Sequence, residues 1–250
     1  MKARCESAGP SCCSRERSSG SPAGATSRIL RVPLLAVPTT LHESGEPMPA
    51  AKRYDARYFQ RWYRESSVRV GQREFVSRKV RLAVAATEYV LGRQLRNVLD
   101  VGCGEAPWRE ILKSLRPRVA YTGLDGSEYA VRRFGRERNI RLARVGEVGR
   151  LGLKGPFDLV VCADVLHYVP TAEVSAGLRA MYALCGGVAF IEIFAASDDA
   201  EGDDVEFQRR SPAIYRRLLA SAGFRPLGLH LYAPRSAWST LVALERGAAG

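Results

Sequence analysis

Two glycines one residue apart, Gly102 and Gly104, follow a short apolar run that contains an acid, Asp100. This pattern is typical of a buried strand that leads to a ligand site, because glycine lets a ligand lie against bare main chain. Asp125 closes the next apolar run, about 20 residues further on, where a doubly wound fold places an acid that binds ribose hydroxyls. The spacing therefore predicts a nucleoside pocket shared by two strand ends.

The third glycine of a dinucleotide fingerprint is missing, since Ala106 and Pro107 follow Gly104. This departure favours a nucleoside ligand without a pyrophosphate group. Pro107 also begins a helical pattern of apolar residues, which places the N-terminus of a helix at the same cleft.

At these residues the chain resembles the class I S-adenosylmethionine-dependent methyltransferases. Their first motif is similar to Asp100-Val101-Gly102-Cys103-Gly104, and their second ends in an acid like Asp125. Members with small-molecule acceptors often carry a run similar to Asp164-Val165-Leu166-His167-Tyr168-Val169 after the fourth strand. The resemblance covers roughly Arg53 to Arg246. It implies that the chain transfers a methyl group from S-adenosylmethionine to an acceptor, with a small molecule as the first expectation.

The resemblance also implies which residues bind the cofactor. These are Asp100, Gly102, Gly104, Asp125, Gly126, Glu147 and Asp164. The two glycines would receive the methionine portion and Asp100 its ammonium group. Asp125 would bind the ribose, and Glu147, just after Gly146, would accept a hydrogen bond from the adenine amino group.

Two residues are candidate general bases if the acceptor must lose a proton. His167 is the first, and its alternative role is a histidine bonded to main chain at the start of a helix. Glu192 is the second; a carboxylate in an apolar run must be paired or partly hydrated, so it either holds a neighbouring Arg or points into the cleft.

The apolar periodicity predicts an α/β fold, a single doubly wound Rossmann-like domain over residues 51–250. Its sheet is expected to have seven strands, mostly parallel, with a C-terminal antiparallel hairpin. The third and fifth strands are predicted at 140–145 and 188–194, with Gly186 and Gly187 breaking the preceding helix. The closing pair is predicted at 227–232 and 240–244.

Residues 1–50 are rich in Ser, Pro, Gly and Arg and are predicted to be a disordered tail, with Met48 a candidate start of translation. The run from Ile29 to Val37 is too short to span a bilayer. Five aromatic residues between Tyr54 and Tyr63 predict either a short helix that caps the sheet or a cover over the cofactor or acceptor.

The net charge is +12, but only five of the 38 basic residues are Lys. A protein selected for phosphate contacts has no reason to avoid Lys, so nucleic acid is a possible but not favoured partner. The acidic residues between Asp198 and Glu206 predict a solvated loop, a lid, or a selector of cationic acceptors. The scattered Cys and His residues predict no metal site and a reducing, cytoplasmic location.

Three rival functions stay open. An RNA or protein methyltransferase would share the cofactor site but bind its substrate with steep salt dependence. An NAD-dependent oxidoreductase would lack the final hairpin and bind nicotinamide. A non-catalytic nucleoside-binding module would bind the cofactor without methylating an acceptor. The identity of the acceptor and the oligomeric state are not encoded in any motif.

Overall fold

The structure is a computed structural model, and it describes residues 52–65, 73–198 and 205–242. Residues from Pro49 to Gly250 form one compact unit. The predicted tail over residues 1–50, with its apolar run and Met48, lies outside the described residues, as does most of the acidic loop.

Helices and strands alternate through most of the chain, as a doubly wound fold requires. The helices are α1 (Ala56–Gln60), α2 (Arg73–Leu91), α3 (Pro107–Leu115), α4 (Glu128–Arg138), α5 (Thr171–Leu184) and α6 (Pro212–Ala222). The strands are β1 (Asn97–Val101), β2 (Ala120–Asp125), β3 (Ile140–Leu142), β4 (Phe157–Ala163), β5 (Cys185–Glu192), β6 (Arg225–Gly228) and β7 (Leu231–Ala233).

The strands form one seven-stranded sheet in the order β3-β2-β1-β4-β5-β7-β6. The first five pair in parallel, and β7 runs antiparallel to both β5 and β6. The predicted fold class is confirmed. The order of the strands reverses between β1 and β4, and open α/β sheets bind ligands at the carboxyl ends of the strands beside such a reversal.

Apolar residues cover both faces of the central strands, because successive side chains of a strand point to opposite faces. Along β4, Leu159 and Val161 pack in one layer, whereas Val160 and Cys162 pack in the other. The first layer includes α2 and α3, and the second includes α5 and α6. The sheet is therefore held rigidly between helices, which fixes the positions of the strand ends.

Two strand predictions inside the domain have wrong limits. β5 begins at Cys185, so Gly186 and Gly187 belong to the strand and do not simply break the helix. A side chain at Gly187 would overlap the carbonyl oxygen of Asp158 on β4, so glycine permits this close pairing. β3 ends at Leu142, because a 3₁₀ turn from Val145 to Arg150 follows it.

The closing hairpin forms, but the predicted strand limits are wrong. Leu229 and His230 make the turn between β6 and β7, with φ of 50° and 66°. Positive φ at both central residues is the geometry of a tight hairpin turn, for which Asn-Gly is the usual sequence signal. Thr240 lies in a 3₁₀ turn, Leu241 and Val242 are not in a strand, and the last two residues of that predicted strand are outside the described chain.

Candidate active site

The glycine turn after β1 is bonded to the end of β2. The N–H groups of Gly102 and Cys103 donate to the carbonyl oxygen of Leu124, at 2.7 and 3.0 Å. One carboxylate oxygen of Asp125 accepts from the N–H of Gly104 at 2.6 Å, and the other accepts from the N–H of Ser127 at 2.8 Å. The predicted ribose-binding acid therefore contacts both the glycine turn and the start of α4.

Both glycines of the turn have positive φ, 74° at Gly102 and 55° at Gly104, a region that L side chains rarely adopt. A Cβ at Gly102 would overlap the side chain of Val165, and a Cβ at Gly104 would overlap the hydroxyl of Tyr63. These positions require glycine for conformation and for space. The main chain is consequently bare where it faces the cleft.

A cavity of about 920 Å³ lies at the carboxyl ends of the strands. Five of the seven predicted cofactor residues line it: Gly102, Gly104, Asp125, Gly126 and Asp164. The volume is near the upper end of the roughly 300–1,000 Å³ typical of small-molecule sites. There is consequently space for a ligand larger than a nucleoside alone.

Asp100 lies beneath this cavity and does not line it. Its side chain is buried, and one carboxylate oxygen accepts a hydrogen bond from the Tyr121 hydroxyl at 2.7 Å. The pKa of Asp100 is raised to about 7, chiefly by burial and also by the nearby charge of Asp125, although the hydrogen bond from Tyr121 lowers it. Any effect of Asp100 on a ligand must pass through the glycine turn above it.

His167 is also buried, with 1% of its surface exposed. Its ring packs against the rings of Tyr168, Phe194 and Phe207, and its Nδ1 accepts a 3.4 Å hydrogen bond from the N–H of Phe194. Its Nε2 lies 3.2 Å from Oδ1 of Asp164 without hydrogen-bond geometry. His167 therefore lies next to the side chain of Asp164 and does not itself line the cavity.

Glu192 pairs with a cation and does not point into the cleft. Its carboxylate is buried and lies 2.6 Å from Nζ of Lys79 on α2, so the cation that balances its charge is a lysine and not the predicted arginine. Glu192 does not line the cavity, although its carbonyl oxygen accepts from the N–H of Asp164 at 3.2 Å.

Glu147 is exposed, and its carboxylate accepts a 2.8 Å hydrogen bond from the N–H of Arg144. This bond caps the 3₁₀ turn that follows β3. Glu147 and Gly146 lie outside the cavity lining, whereas Arg144 and Val145 belong to it.

An aromatic segment that includes the short helix α1 lines the cavity. Tyr54, Tyr58, Phe59 and Tyr63 all line the cavity. Burial, together with the nearby charge of Asp125, raises the pKa of Tyr63 well above its ordinary value, so its hydroxyl remains a hydrogen-bond donor. The sequence reveals the cluster but not which rings turn inward.

Arg210 fixes the loop after β4 and was not anticipated from the sequence. It is 7% exposed, and its guanidinium donates to Thr171 Oγ1 at 2.9 Å and to the Tyr215 hydroxyl at 3.1 Å. It also donates to the carbonyl oxygens of Leu166 and Val169, at 3.3 and 2.6 Å. A buried arginine with these partners holds the loop that carries several cavity residues.

Within the described ranges, no group of three or more His, Cys, Asp or Glu side chains is placed to hold a metal ion. None of the helices in the same ranges is long and apolar enough to cross a membrane. The three cysteines described, Cys103, Cys162 and Cys185, are buried free thiols, and burial raises the pKa of each.

Residues 99–187 match the sequence model of the methyltransferase domain family. This range contains the glycine turn, Asp125 and the loop after β4 that together form the cavity. This family match and the seven-stranded fold are consistent with a class I S-adenosylmethionine-dependent methyltransferase. S-Adenosylmethionine is therefore its cofactor. In the comparison with curated proteins, no sequence matches the chain.

Solved methyltransferase structures have the same fold. A SAM-dependent methyltransferase from Archaeoglobus fulgidus is 19% identical over 68% of this chain and 75% of its own, with a TM-score of 0.53. The magnesium protoporphyrin IX methyltransferase from Synechocystis PCC 6803, solved with bound S-adenosylhomocysteine, is 22% identical over 73% of this chain and 91% of its own, with a TM-score of 0.51.

The methyltransferase cavity fits this cofactor in two respects. Asp125 uses one lone pair on each oxygen for main-chain N–H groups, and a carboxylate has about four such acceptor sites, so acceptors remain for ribose hydroxyls. The bare main chain of the glycine turn faces the same cavity, where the methionine portion requires close approach.

Proposed function

We propose that this methyltransferase transfers a methyl group from S-adenosylmethionine to a small-molecule acceptor held in the same cavity. Support comes from one observation above all: Asp125 and the Gly102–Gly104 turn line a single cavity that continues to the aromatic segment. A site that holds both partners together can accelerate the reaction by orientation, on the order of 7 kcal/mol or more.

Different residues of the cavity bind different parts of the cofactor. Asp125 accepts hydrogen bonds from the ribose hydroxyls, Gly102 and Gly104 leave room for the methionine portion, and Gly126 leaves the cavity wall open beside the ribose. Asp164 borders the methionine end. The cofactor supplies a methyl group that its sulfonium already activates. Neither His167 nor Glu192 lines the cavity, so the proposal gives neither of them contact with the acceptor.

A small-molecule acceptor is favoured by the aromatic residues that line one end of the cavity. Recognition of small molecules commonly relies on concave sites lined by aromatic side chains with a few polar groups. Two proteins of the same fold are named for the compounds they act on, the magnesium protoporphyrin IX methyltransferase from Synechocystis and the plantazolicin methyltransferase.

Methyl transfer from isotopically labelled S-adenosylmethionine tests the proposal. The purified protein would be incubated with acceptor panels of amines, phenols, carboxylic acids and thiols, and in parallel with RNA and protein extracts. We expect label in a small-molecule fraction and little dependence of substrate binding on salt. Label confined to RNA or protein, with affinity that falls steeply as salt rises, would favour the macromolecular rival.

A further inference from the structure

The ammonium group of Lys52 lies among three tyrosine rings at the aromatic end of the cavity. Its Nζ is 3.6 Å from the ring centroid of Tyr168, 5.2 Å from that of Tyr54 and 5.4 Å from that of Tyr58. All three distances are within the ~6 Å over which an aromatic face attracts a cation. We call Tyr54, Tyr58 and Tyr168 the tyrosine cage.

The tyrosine cage is assembled from separate parts of the chain. Tyr54 and Tyr58 are T-shaped neighbours with centroids 4.9 Å apart, and the carbonyl oxygen of Tyr54 accepts a 2.6 Å hydrogen bond from Ser127 at the start of α4. Tyr168 comes from the loop after β4. The cage is therefore anchored to the same strand ends that form the cofactor cavity.

An acidic residue lies at the edge of the cage. The carboxylate of Glu206 accepts from the main-chain N–H of Lys52 at 2.9 Å, and Nζ of Lys52 is 3.4 Å from the carbonyl oxygen of Val205. Val205 and Glu206 belong to the acidic stretch for which a selector of cationic acceptors is one of the three sequence predictions, beside a solvated loop and a lid. Carbonyl and carboxylate oxygens beside aromatic faces suit a cation and repel an anion.

The charge of the cavity lining also favours a cationic ligand. Among the residues that the structure describes, six with carboxylates line it against four with cationic side chains, although the protein as a whole carries a net charge of +12. The acids are Asp55, Asp125, Glu128, Asp164, Glu173 and Glu206, and the cations are Lys52, Arg53, Arg132 and Arg144. If the Lys52 side chain leaves the cage, the excess of acid over base increases by one. A bound cation that takes its place returns the excess of acid to its original value.

We propose that the tyrosine cage is the acceptor subsite and that it binds a cationic alkylammonium group of the acceptor, which displaces the Lys52 side chain and is not itself methylated, because its nitrogen has no free lone pair. The inference rests on the proposed function, whose acceptor it assigns to a chemical class. Lys52 holds the subsite in the absence of acceptor, because its flexible stem lets a compact ammonium group enter and leave. An alkylated ammonium carries more apolar surface against the rings than the Lys52 ammonium does.

Calorimetric titration with choline tests the assignment, and 3,3-dimethylbutan-1-ol is the probe of equal shape without charge. Both would be added to the full chain saturated with S-adenosylhomocysteine. We expect choline to bind Lys52→Ala at least about tenfold more tightly than the unsubstituted protein, because the competing ammonium group is removed. We expect no such gain for Lys154→Ala, which removes an exposed lysine away from the cavity.

Ring substitutions in the Lys52→Ala protein separate charge recognition from simple apolar contact. Tyr168→Phe should retain choline binding because the ring remains, whereas Tyr168→Leu and Tyr54→Leu should each weaken it by about tenfold. Equal affinity for choline and for the neutral probe, or no effect of Lys52→Ala, would overturn the inference.

The S-adenosylhomocysteine titration that precedes each experiment distinguishes the two levels of the argument. If every protein binds S-adenosylhomocysteine but none binds choline, the cage assignment is wrong and the proposed function stands. If the unsubstituted protein does not bind S-adenosylhomocysteine, the proposed function is wrong and the cage assignment fails with it.

Discussion

The carboxylate of Asp125, at the end of β2, accepts a hydrogen bond from the main-chain N–H of Gly104, in the turn after β1, at 2.6 Å. This bond joins the predicted ribose acid to the predicted methionine turn. Because β1 and β2 are parallel neighbours, the relationship depends on the register of a rigid sheet and not on a mobile loop. The position of the cofactor pocket is thereby a property of the fold.

Replacement of Asp125 tests its role toward the ribose. We expect Asp125→Ala to weaken binding of S-adenosylhomocysteine by roughly 1–3 kcal/mol, because hydrogen bonds to the sugar are left unmade. Calorimetry gives the dissociation constant, and Glu110→Gln, which removes an exposed acid of α3, should leave it unchanged. An unchanged dissociation constant for Asp125→Ala would refute the ribose role.

Two alanine variants, one at Gly102 in the glycine turn and one at Gly92 after α2, distinguish a steric clash from backbone strain. Gly102→Ala and Gly92→Ala both place alanine at positive φ, 74° and 63°, at a strain of about 1–2 kcal/mol each. Only the Cβ at position 102 meets a neighbour, since nothing lies within 4 Å of a Cβ at position 92. We expect both variants to unfold at lower temperature but only Gly102→Ala to lose affinity for S-adenosylhomocysteine.

Equal affinity for both glycine variants would contradict this account. It would mean that the cofactor does not lie against the main chain at Gly102.

Much of this site is legible in the sequence because it depends on local patterns. The glycine turn, Asp125 and the Ser127 cap of α4 each follow from residue type and spacing, and the structure brings them together. Gly126 and Asp164 follow from the resemblance to a family and line the same cavity.

Residue type and spacing do not predict the roles that depend on the direction of a side chain. Asp100 and Glu192 both stand in buried strands, and no periodicity shows that one would pair with Tyr121 and the other with Lys79. Arg210 is one of 33 arginines, so its burial is hidden in the composition. Tyr168 joins Lys52 and the two nearby tyrosines through a long-range contact that no local pattern encodes.

The buried carboxyl of Asp100 should make stability depend on pH. Its pKa is raised from 3.8 to about 7, so the native protein keeps this proton to a higher pH than the unfolded chain does. The contribution of Asp100 to the free energy of unfolding therefore falls as pH rises from about 4 to about 7. Asp100→Asn removes this loss, and the variant should gain at least about 1 kcal/mol relative to the unsubstituted protein between pH 4.5 and 8.

Urea unfolding across this pH range measures the difference, without cofactor. Tyr121→Phe is the companion variant: it removes the hydroxyl that donates to Asp100, which should raise the carboxyl pKa further and steepen the pH dependence. Parallel pH profiles for the unsubstituted protein and Asp100→Asn would rule out the buried-carboxyl account.

Arg210 should stabilise the loop after β4. Arg210→Met removes the guanidinium that serves Thr171, Leu166 and Val169, and we expect a loss of about 3 kcal/mol or more in the free energy of unfolding because buried acceptors are left unpaired. Denaturant unfolding checks this, with exposed Arg217→Met on α6 as the matched control. A loss no greater than that of the control would show that the bonds of Arg210 contribute little.

Side-by-side calorimetric titration of the purified chain with S-adenosylhomocysteine and with NAD tests the central claim most directly. One cavity with the Asp125 carboxylate and the bare glycine turn predicts that S-adenosylhomocysteine binds at a single site and that NAD does not bind there. Preference for NAD, or binding of neither ligand, would contradict the assignment of this cavity to the methyl donor.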